Sequence, residues 1–447
     1  MRRRVPCLFP LVLAFLALAG GTQVWGMAGT GSVPQSPLLL AAVMPDRNLL
    51  ASEEQQVLFA AFRERFFSPW AQTGPRQSRE DLESIFVRFG NEEVYGENLQ
   101  PRHAAWAEGL RQNSRIRALG ELGRKAAAVR PTVLRLMPTE SPLFRSSGIP
   151  GEGYPFDLLQ NSLVHPGEPL FVSHLSEDGL WAWVDTSSAS GWVPVPDFAW
   201  VDDRTAARWS ALPLAAVTRE NGVFRSGGTS LFRAKIGTVL PMIRRGIGTH
   251  VLLVPSRKQD GSLAEAPVRI SADDACPMPL RATPWTVASL AEQCMGEPYG
   301  WGGFLGNRDC SATTGDLLRP LGIWLPRNSG AQAGAGKSVS LKDLSPEEKK
   351  RLIMEEGIPF LTLLWLPGHV MLYAGPWKGE PLVLHNLWGI RTENLGKEGR
   401  FIVGKCVVST LDLGSDLPGH IPGKLIIHRL ERMVFPGDIH GDAPLQH

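Results

Sequence analysis

The hydrophobic period of this chain changes twice along its length, and one core cannot serve all the patterns that result. From about residue 46 to 125 the spacing is helical. Ser52-Glu53-Glu54-Gln55 reads as a capping box ahead of Val57, Leu58, Ala61, Phe62 and Phe66, and Ser78-Arg79-Glu80-Asp81 repeats the logic. From about 131 to 203 the pattern becomes short alternating runs broken by Gly, Pro, Asn, Asp and Ser. A second β-rich stretch, about 207 to 272, holds Gly237-Thr238-Val239-Leu240-Pro241 and His250-Val251-Leu252-Leu253-Val254. Beyond about residue 273 the chain is helix first and strand afterwards, the order of an α+β domain. With 447 residues, the length prior of roughly three or four domains agrees with this division.

The N-terminus carries a compartment signal. Met1-Arg2-Arg3-Arg4 is a charged start, Leu8 to Ala19 a short apolar run, and Ala17-Leu18-Ala19 a small-residue cleavage site. Residues 1–26 are therefore expected to be a secretory signal peptide, with the mature protein periplasmic or cell-wall associated. The apolar run is short for a membrane span, so no stable membrane insertion is expected. The net charge of +2 and the lack of a Lys/Arg stripe argue against nucleic acid as a partner. Most of the 14 tryptophans are expected in cores, although their flat faces also suit peptide and sugar grooves.

Loss of the signal removes Cys7 and leaves Cys276, Cys294, Cys310 and Cys406, a sparse set for a disulfide framework in a chain this long. No metal site is expected, because no Cys-x-x-Cys or His-Glu-x-x-His spacing occurs. Cys294 lies on the apolar face of a helix that Thr283 caps, Pro284 opens and Gly296 ends, and it reads as core. Cys310 differs. It follows Tyr299-Gly300-Trp301-Gly302-Gly303 and Asp309, and it opens an apolar helix that stops near Pro320. Thiol chemistry needs a thiolate, and a helix N-terminus supplies N–H groups and a positive dipole end that lower a cysteine pKa. Taken alone, Cys310 is still more simply a small buried hydrophobe.

A partner base is readable further on. Phe360-Leu361-Thr362-Leu363-Leu364-Trp365, His369 to Ala374 and Pro381 to Asn386 read as successive strands, with Gly375-Pro376 and Gly379 at the turn. His369 opens one strand and His385 closes the next, so antiparallel pairing brings both imidazoles to one end of the sheet. His369 would take the thiol proton and His385 would orient its ring. Asn386 competes for the orienting role, although strand alternation puts it on the other face.

These residues resemble the NlpC family of papain-like cell-wall cysteine peptidases, whose pattern is Tyr-x-Trp-Gly-Gly, Asp-Cys-Ser at a helix start, His-Val at a strand start and a second polar residue. The run from Pro169 through Trp181-Ala182-Trp183-Val184 to Ser190-Gly191-Trp192-Val193-Pro194 resembles a bacterial SH3 domain. The whole mature chain is similar to γ-D-glutamyl-L-diamino acid endopeptidases that contain SH3 domains. The resemblance implies a multidomain architecture: a helical domain at 27–130, SH3-like barrels at 131–203 and 204–272, and an α+β papain-like catalytic domain at 273–447.

It also implies cleavage of the γ-D-glutamyl to diamino acid bond in peptidoglycan stem peptides or muropeptides. The enzyme is expected to be a monomer without a cofactor. Cys310 would be the nucleophile, His369 the base and His385 its partner. Tyr299, Trp301, Asp309, Ser311, Asn328 and Ser329 would shape the substrate site, with the Cys310 N–H and the Tyr299 hydroxyl at the oxyanion and Tyr154 and Trp192 as further aromatic walls.

Two positions depart from the family pattern. Its Pro-Arg-Asp-Ser becomes Pro326-Arg327-Asn328-Ser329, which removes a carboxylate that pairs with a free substrate ammonium and leaves room for an alanine still attached to sugar. Its Gly-Asp-Leu before the histidine strand becomes Phe360-Leu361-Thr362-Leu363-Leu364, a change expected to be structural. Two other classes share these features: a wall-binding SH3 protein with little turnover, and a thiol amidase or transacylase with a different pocket.

Overall fold

A computed structural model describes residues 33–437; the expected signal segment at 1–26 lies outside the described residues. Four α-helices occupy the N-terminal region, Pro37–Ala42, Ser52–Ala71, Arg79–Asn91 and Ala104–Asn113. The Ser78 capping box forms as the sequence predicts: Ser78 Oγ accepts from the Asp81 N–H at 3.1 Å and Asp81 Oδ2 accepts from the Ser78 N–H at 2.8 Å. The Ser52 box does not form. Ser52 is already helical, the N-cap is Ala51 with no side-chain bond, and Glu53 and Glu54 meet the positive end of the helix instead.

That helix, Ser52–Ala71, is a strut. Phe62, Phe66, Phe67 and Trp70 share a core with Ala127, Val201, Trp209, Val239 and Leu253, residues drawn from both β regions. The Trp70 indole N–H donates to the Ala126 carbonyl at 2.7 Å. Burying aromatic rings of this size stabilises by about 1.5–3 kcal/mol each, so the helix fastens the two β regions to each other.

The first β region is a seven-stranded antiparallel sheet. Its strands run in the spatial order Gln160–Val164, Thr132–Arg135, Ser190–Pro194, Trp181–Asp185, Pro169–Leu175, Arg124–Ala128 and Phe198–Trp200. The sheet thus begins at Arg124, ahead of the boundary read from the sequence. Arg-Lys-Ala-Ala-Ala carries no strand signal of its own; pairing on both sides, to Pro169–Val172 and to Phe198–Trp200, imposes the conformation. The second region has a five-stranded sheet, Leu263–Ser271, Thr249–Arg257, Val239–Arg245, Leu214–Val217 and Ala275–Pro277 in order. A hairpin, Gly222–Ser226 with Thr229–Ala234, packs Phe224 and Phe232 into its core.

The C-terminal domain is built on a six-stranded sheet in the order Gly336–Ser340, Arg432–Pro436, Leu363–Leu366, His369–Trp377, Glu380–Asn394, Lys397–Thr410. Helices Pro284–Glu292 and Cys310–Leu318 pack on one face through Val287, Leu290, Leu317, Val370, Leu372, Leu384 and Val408. Helix Pro346–Glu356 and the turn Ile426–Arg429 cover the other through Ile353, Met371, Tyr373, Val383 and Ile427.

Two strand expectations change. The strand read from Phe360 starts at Leu363, because Phe360 takes a left-handed φ of 62° that ends extended pairing. The strand read as Pro381 to Asn386 continues to Asn394, bulges between Leu387 and Gly389 and returns as Lys397–Thr410. Gly389, Gly399 and Gly404 interrupt the apolar alternation that would have revealed this hairpin.

Candidate active site

Cys310 is the first residue of its helix and Asp309 is the N-cap. The Asp309 carboxylate accepts from the Ala312 N–H at 2.9 Å and, through its other oxygen, from the Gly302 N–H at 3.0 Å. Arg327 grips the same carboxylate with two nitrogens, at 2.7 and 3.1 Å, and also donates to Ser311 Oγ at 2.9 Å and to Ser162 Oγ of the first β region at 2.9 Å. Burial works to raise the Asp309 carboxyl, but the Arg327 charge and these N–H donors outweigh it and hold the pKa below the usual range. Asp309 and Ser311 are thus occupied in fixing the turn that presents Cys310. Gln332, buried beneath them, donates to the Ser311 carbonyl at 3.0 Å and the Pro326 carbonyl at 2.9 Å.

The thiol is buried, and its pKa moves opposite to the sequence expectation. Burial, followed by the neighbouring Asp309 charge, pushes Cys310 up to about 12, while the Val370 N–H, Arg327 and the Ser311 N–H pull the other way. The helix end is overruled by burial first and then by its own anionic cap. The free protein therefore holds a neutral thiol, beside the amide of the residue that follows His369.

His369 and His385 meet as the strand registers require: His369 Nε2 and His385 Nδ1 are 2.9 Å apart. On its far side His385 Nε2 lies 3.1 Å from Ser409 Oγ, and the Ser409 hydroxyl donates to the Thr410 carbonyl at 2.9 Å. Burial, then the Arg429 charge, lowers His369 to about 4; burial, then His369, holds His385 well below the ordinary histidine value. Both rings are neutral near neutral pH, and the His369 nitrogen not turned toward His385 is Nδ1. Asn386 points elsewhere: its side-chain N–H donates to the Arg308 carbonyl at 2.9 Å, which tethers the turn ahead of Asp309. Described hydrogen bonds include none between Cys310 and His369, and such contacts commonly tighten only when substrate arrives.

Aromatic side chains surround this centre. Phe156, from the first β region, packs against Tyr299 at 6.1 Å, Trp301 at 5.4 Å and Trp388 at 5.7 Å between ring centroids. Tyr299 also meets Trp388 at 6.1 Å. Burial, then Cys310 and Asp309, holds the Tyr299 phenol well above its usual pKa, so it stays protonated. Trp301 is 41% exposed. Tyr154 joins Phe144 and Phe304 in a neighbouring cluster. Trp192, expected as a groove wall, is fully buried against Trp183 and His174 and belongs to the core of the first β region.

Close approach of that β region depends on Gly302 and Gly303. Both have positive φ, 59° and 94°, and a Cβ on Gly302 would stand 2.1 Å from the Gln160 carbonyl oxygen. Asn328 is exposed and caps the helical turn that Ser329 opens, its Oδ1 accepting from the Gly330 N–H at 2.7 Å. With Arg327 it borders a cleft of about 250 Å³ whose other walls include Ile85, Phe89, Trp183 and Ala331.

Sequence reasoning missed Arg327, Gln332, Phe156, Trp388 and Ser409. Arg327 sat inside a segment already singled out, and Trp388 lies just beyond His385. Phe156 and Ser409 carried no local signal.

Together the thiol at a helix start, the histidine pair on an adjoining sheet and the β region closing over them define a thiol-hydrolase architecture. Comparison with known proteins gives the particular family. Residues 296–395 match the NlpC/P60 family model, 142–194 the SH3 domain (SH3b1 type) and 24–118 the N-terminal NLPC_P60 stabilising domain. The chain thus carries an NlpC/P60 family domain, with an SH3 domain and an N-terminal NLPC_P60 stabilising domain ahead of it.

A γ-D-glutamyl-L-lysine dipeptidyl-peptidase of Bacillus subtilis (strain 168) is 31% identical over 155 residues, 34% of this chain and 47% of that protein. The match thus spans about half the length of that curated relative. An NlpC/P60 endopeptidase from Photobacterium damselae subsp. piscicida superposes with a TM-score of 0.80 at 22% identity, covering 90% of this chain and 97% of that one, a likeness of fold. An NlpC/P60 family protein from Bacillus cereus ATCC 10987 gives a TM-score of 0.46 at 17% identity, with 70% and 100% covered.

Proposed function

We propose that this protein is an exported cysteine endopeptidase that hydrolyses the bond between γ-D-glutamate and the diamino acid of peptidoglycan stem peptides. The observation that carries the reading is the 2.9 Å contact of His369 Nε2 with His385 Nδ1, on a strand whose next residue, Val370, turns its N–H to a thiol fixed at a helix start. The substrate class rests on the similarity to the Bacillus subtilis relative, whose name specifies a γ-D-glutamyl-L-lysine bond.

His369 accepts the Cys310 proton as sulfur attacks the γ-carbonyl carbon, and the oxyanion is met by the Cys310 backbone N–H. The imidazolium then protonates the leaving α-amine, the C–N bond breaks and a γ-glutamyl thioester remains. Water, deprotonated by His369, cleaves the thioester and restores the thiol. The high thiol pKa and low imidazole pKa make the resting pair neutral, so proton transfer accompanies attack. Tyr299, Trp301 and Trp388 wall the groove.

Asn328 bears on the amino side of the substrate. Its Oδ1 is already engaged by the Gly330 N–H, and it offers no charge to a free L-alanine ammonium. We therefore infer that an alanine still attached to muramic acid is accepted. Purified muropeptides digested with wild type and Cys310→Ala, followed by mass analysis, test the reading. New diamino acid N-termini should appear only with wild type; their absence, or equal cutting by the variant, refutes it. A strong preference for free stem peptide over the N-acetylmuramyl form would refute the Asn328 argument alone.

A further inference from the structure

We propose that Ser409 is a positioning residue that selects the tautomer of His385, and through it the tautomer of His369, so that the base reaches Cys310 with a bare nitrogen. The inference rests on the peptidase reading for its effect on turnover, but not for its structural content. Ser409 is fully buried and lies on the strand Lys397–Thr410, where its hydroxyl donates to the Thr410 carbonyl at 2.9 Å. A hydroxyl has one proton, so toward His385 Nε2 at 3.1 Å Ser409 can only accept. His385 must then carry its proton on Nε2.

In a neutral ring that leaves His385 Nδ1 as an acceptor, and the 2.9 Å contact requires His369 to hold its proton on Nε2. The remaining His369 nitrogen, Nδ1, is the lone pair that receives the thiol proton. Every donor in the relay has one acceptor, from His369 through His385 and Ser409 to a main-chain carbonyl. Without Ser409 this order reverses. His385, 1% exposed, would have an Nε2–H with no acceptor, and a buried unpaired donor is costly. Moving that proton to Nδ1 lets His385 donate to His369 Nε2, which forces the His369 proton onto Nδ1. The base would then present an N–H to the thiol and could not accept from it.

Ser409→Ala removes the acceptor, and Ser409→Thr keeps a hydroxyl at the same Cβ. With 15N-labelled histidine in the full chain, wild type should show a pyridine-like Nδ1 and a pyrrole-like Nε2 on His369. Ser409→Ala should exchange the two. Muropeptide turnover by the Ala variant should fall by at least about 10²-fold in kcat, the lower end of general-base contributions, with KM changed less than about twofold, and Thr should restore it. An unchanged His369 tautomer in a folded Ser409→Ala protein overturns the proposal, whatever happens to activity. So does a loss of activity that appears in KM rather than kcat. If wild type cleaves no muropeptide while the tautomer still exchanges, the peptidase reading fails and the role of Ser409 stands.

Discussion

Replacing Arg308 by methionine tests how the turn bearing the nucleophile is held. Arg308 is 2% exposed and meets three carboxylates: Asp316 Oδ2 at 2.7 Å from Nε, Glu297 Oε2 at 2.7 Å from Nη1 and Glu220 Oε2 at 2.9 Å from Nη2. Glu220 belongs to the second β region, so the guanidinium joins it to the catalytic domain beside Asp309 and Cys310. Methionine keeps most of the stem volume, so the loss is electrostatic rather than a cavity. Lys235 still faces Glu220 and Glu297, and His165 still faces Asp316, which keeps the deficit within the range for one broken buried pair, about 3–5 kcal/mol.

The pH dependence separates this from a packing defect. Burial works to raise Glu220 and Asp316, but Arg308 outweighs it for Glu220, and His165 with Arg308 outweighs it for Asp316, so both are depressed in the folded protein. A depressed carboxyl stabilises above its unfolded pKa and loses that contribution as pH falls toward the folded value. The deficit of Arg308→Met should therefore be largest near pH 7 and smaller at about pH 3, below the unfolded carboxyl pKa values of about 3.9 and 4.3. Urea unfolding of both proteins at the two pH values, followed by tryptophan fluorescence, measures it. A deficit below about 1 kcal/mol at neutral pH, or one that does not change with pH, would refute an electrostatic role for the cluster.

The acid limb of kcat/KM should fall as pH drops through about 4, where His369 becomes protonated and can no longer accept the thiol proton. A limb centred near the ordinary histidine value of about 6.5 would show that burial does not control this base. Gly302→Ala should destabilise by roughly 1–3 kcal/mol or more and loosen the SH3 region from the catalytic domain, since the backbone cannot yield to the new methyl. Thermal unfolding and limited proteolysis would reveal it, and an unchanged midpoint with unchanged turnover would count against this packing role.

Local chemistry made much of the candidate active centre legible in the sequence. A capped helix start after Asp309, and two histidines on strands joined by a short turn, are set by period and punctuation, so Cys310, His369 and His385 could be singled out before any contact was known. The same information fixed the alternation that sends Asn386 away from the histidine pair. It could not give the thiol its pKa: the helix end argued for a lowered value, whereas burial and the Asp309 anion raise it. Nor could it pair Arg327 with Asp309, bring Phe156 to Trp301, or set Ser409 behind His385. Those partners are distant in sequence and carry no periodic signal. Pairing of the long return strand, and the packing of a β region over Gly302 and Gly303, bring them together. Spacing along the chain marked the candidate reactive groups, and tertiary packing decided their burial, their hydrogen-bond partners and what closes over them.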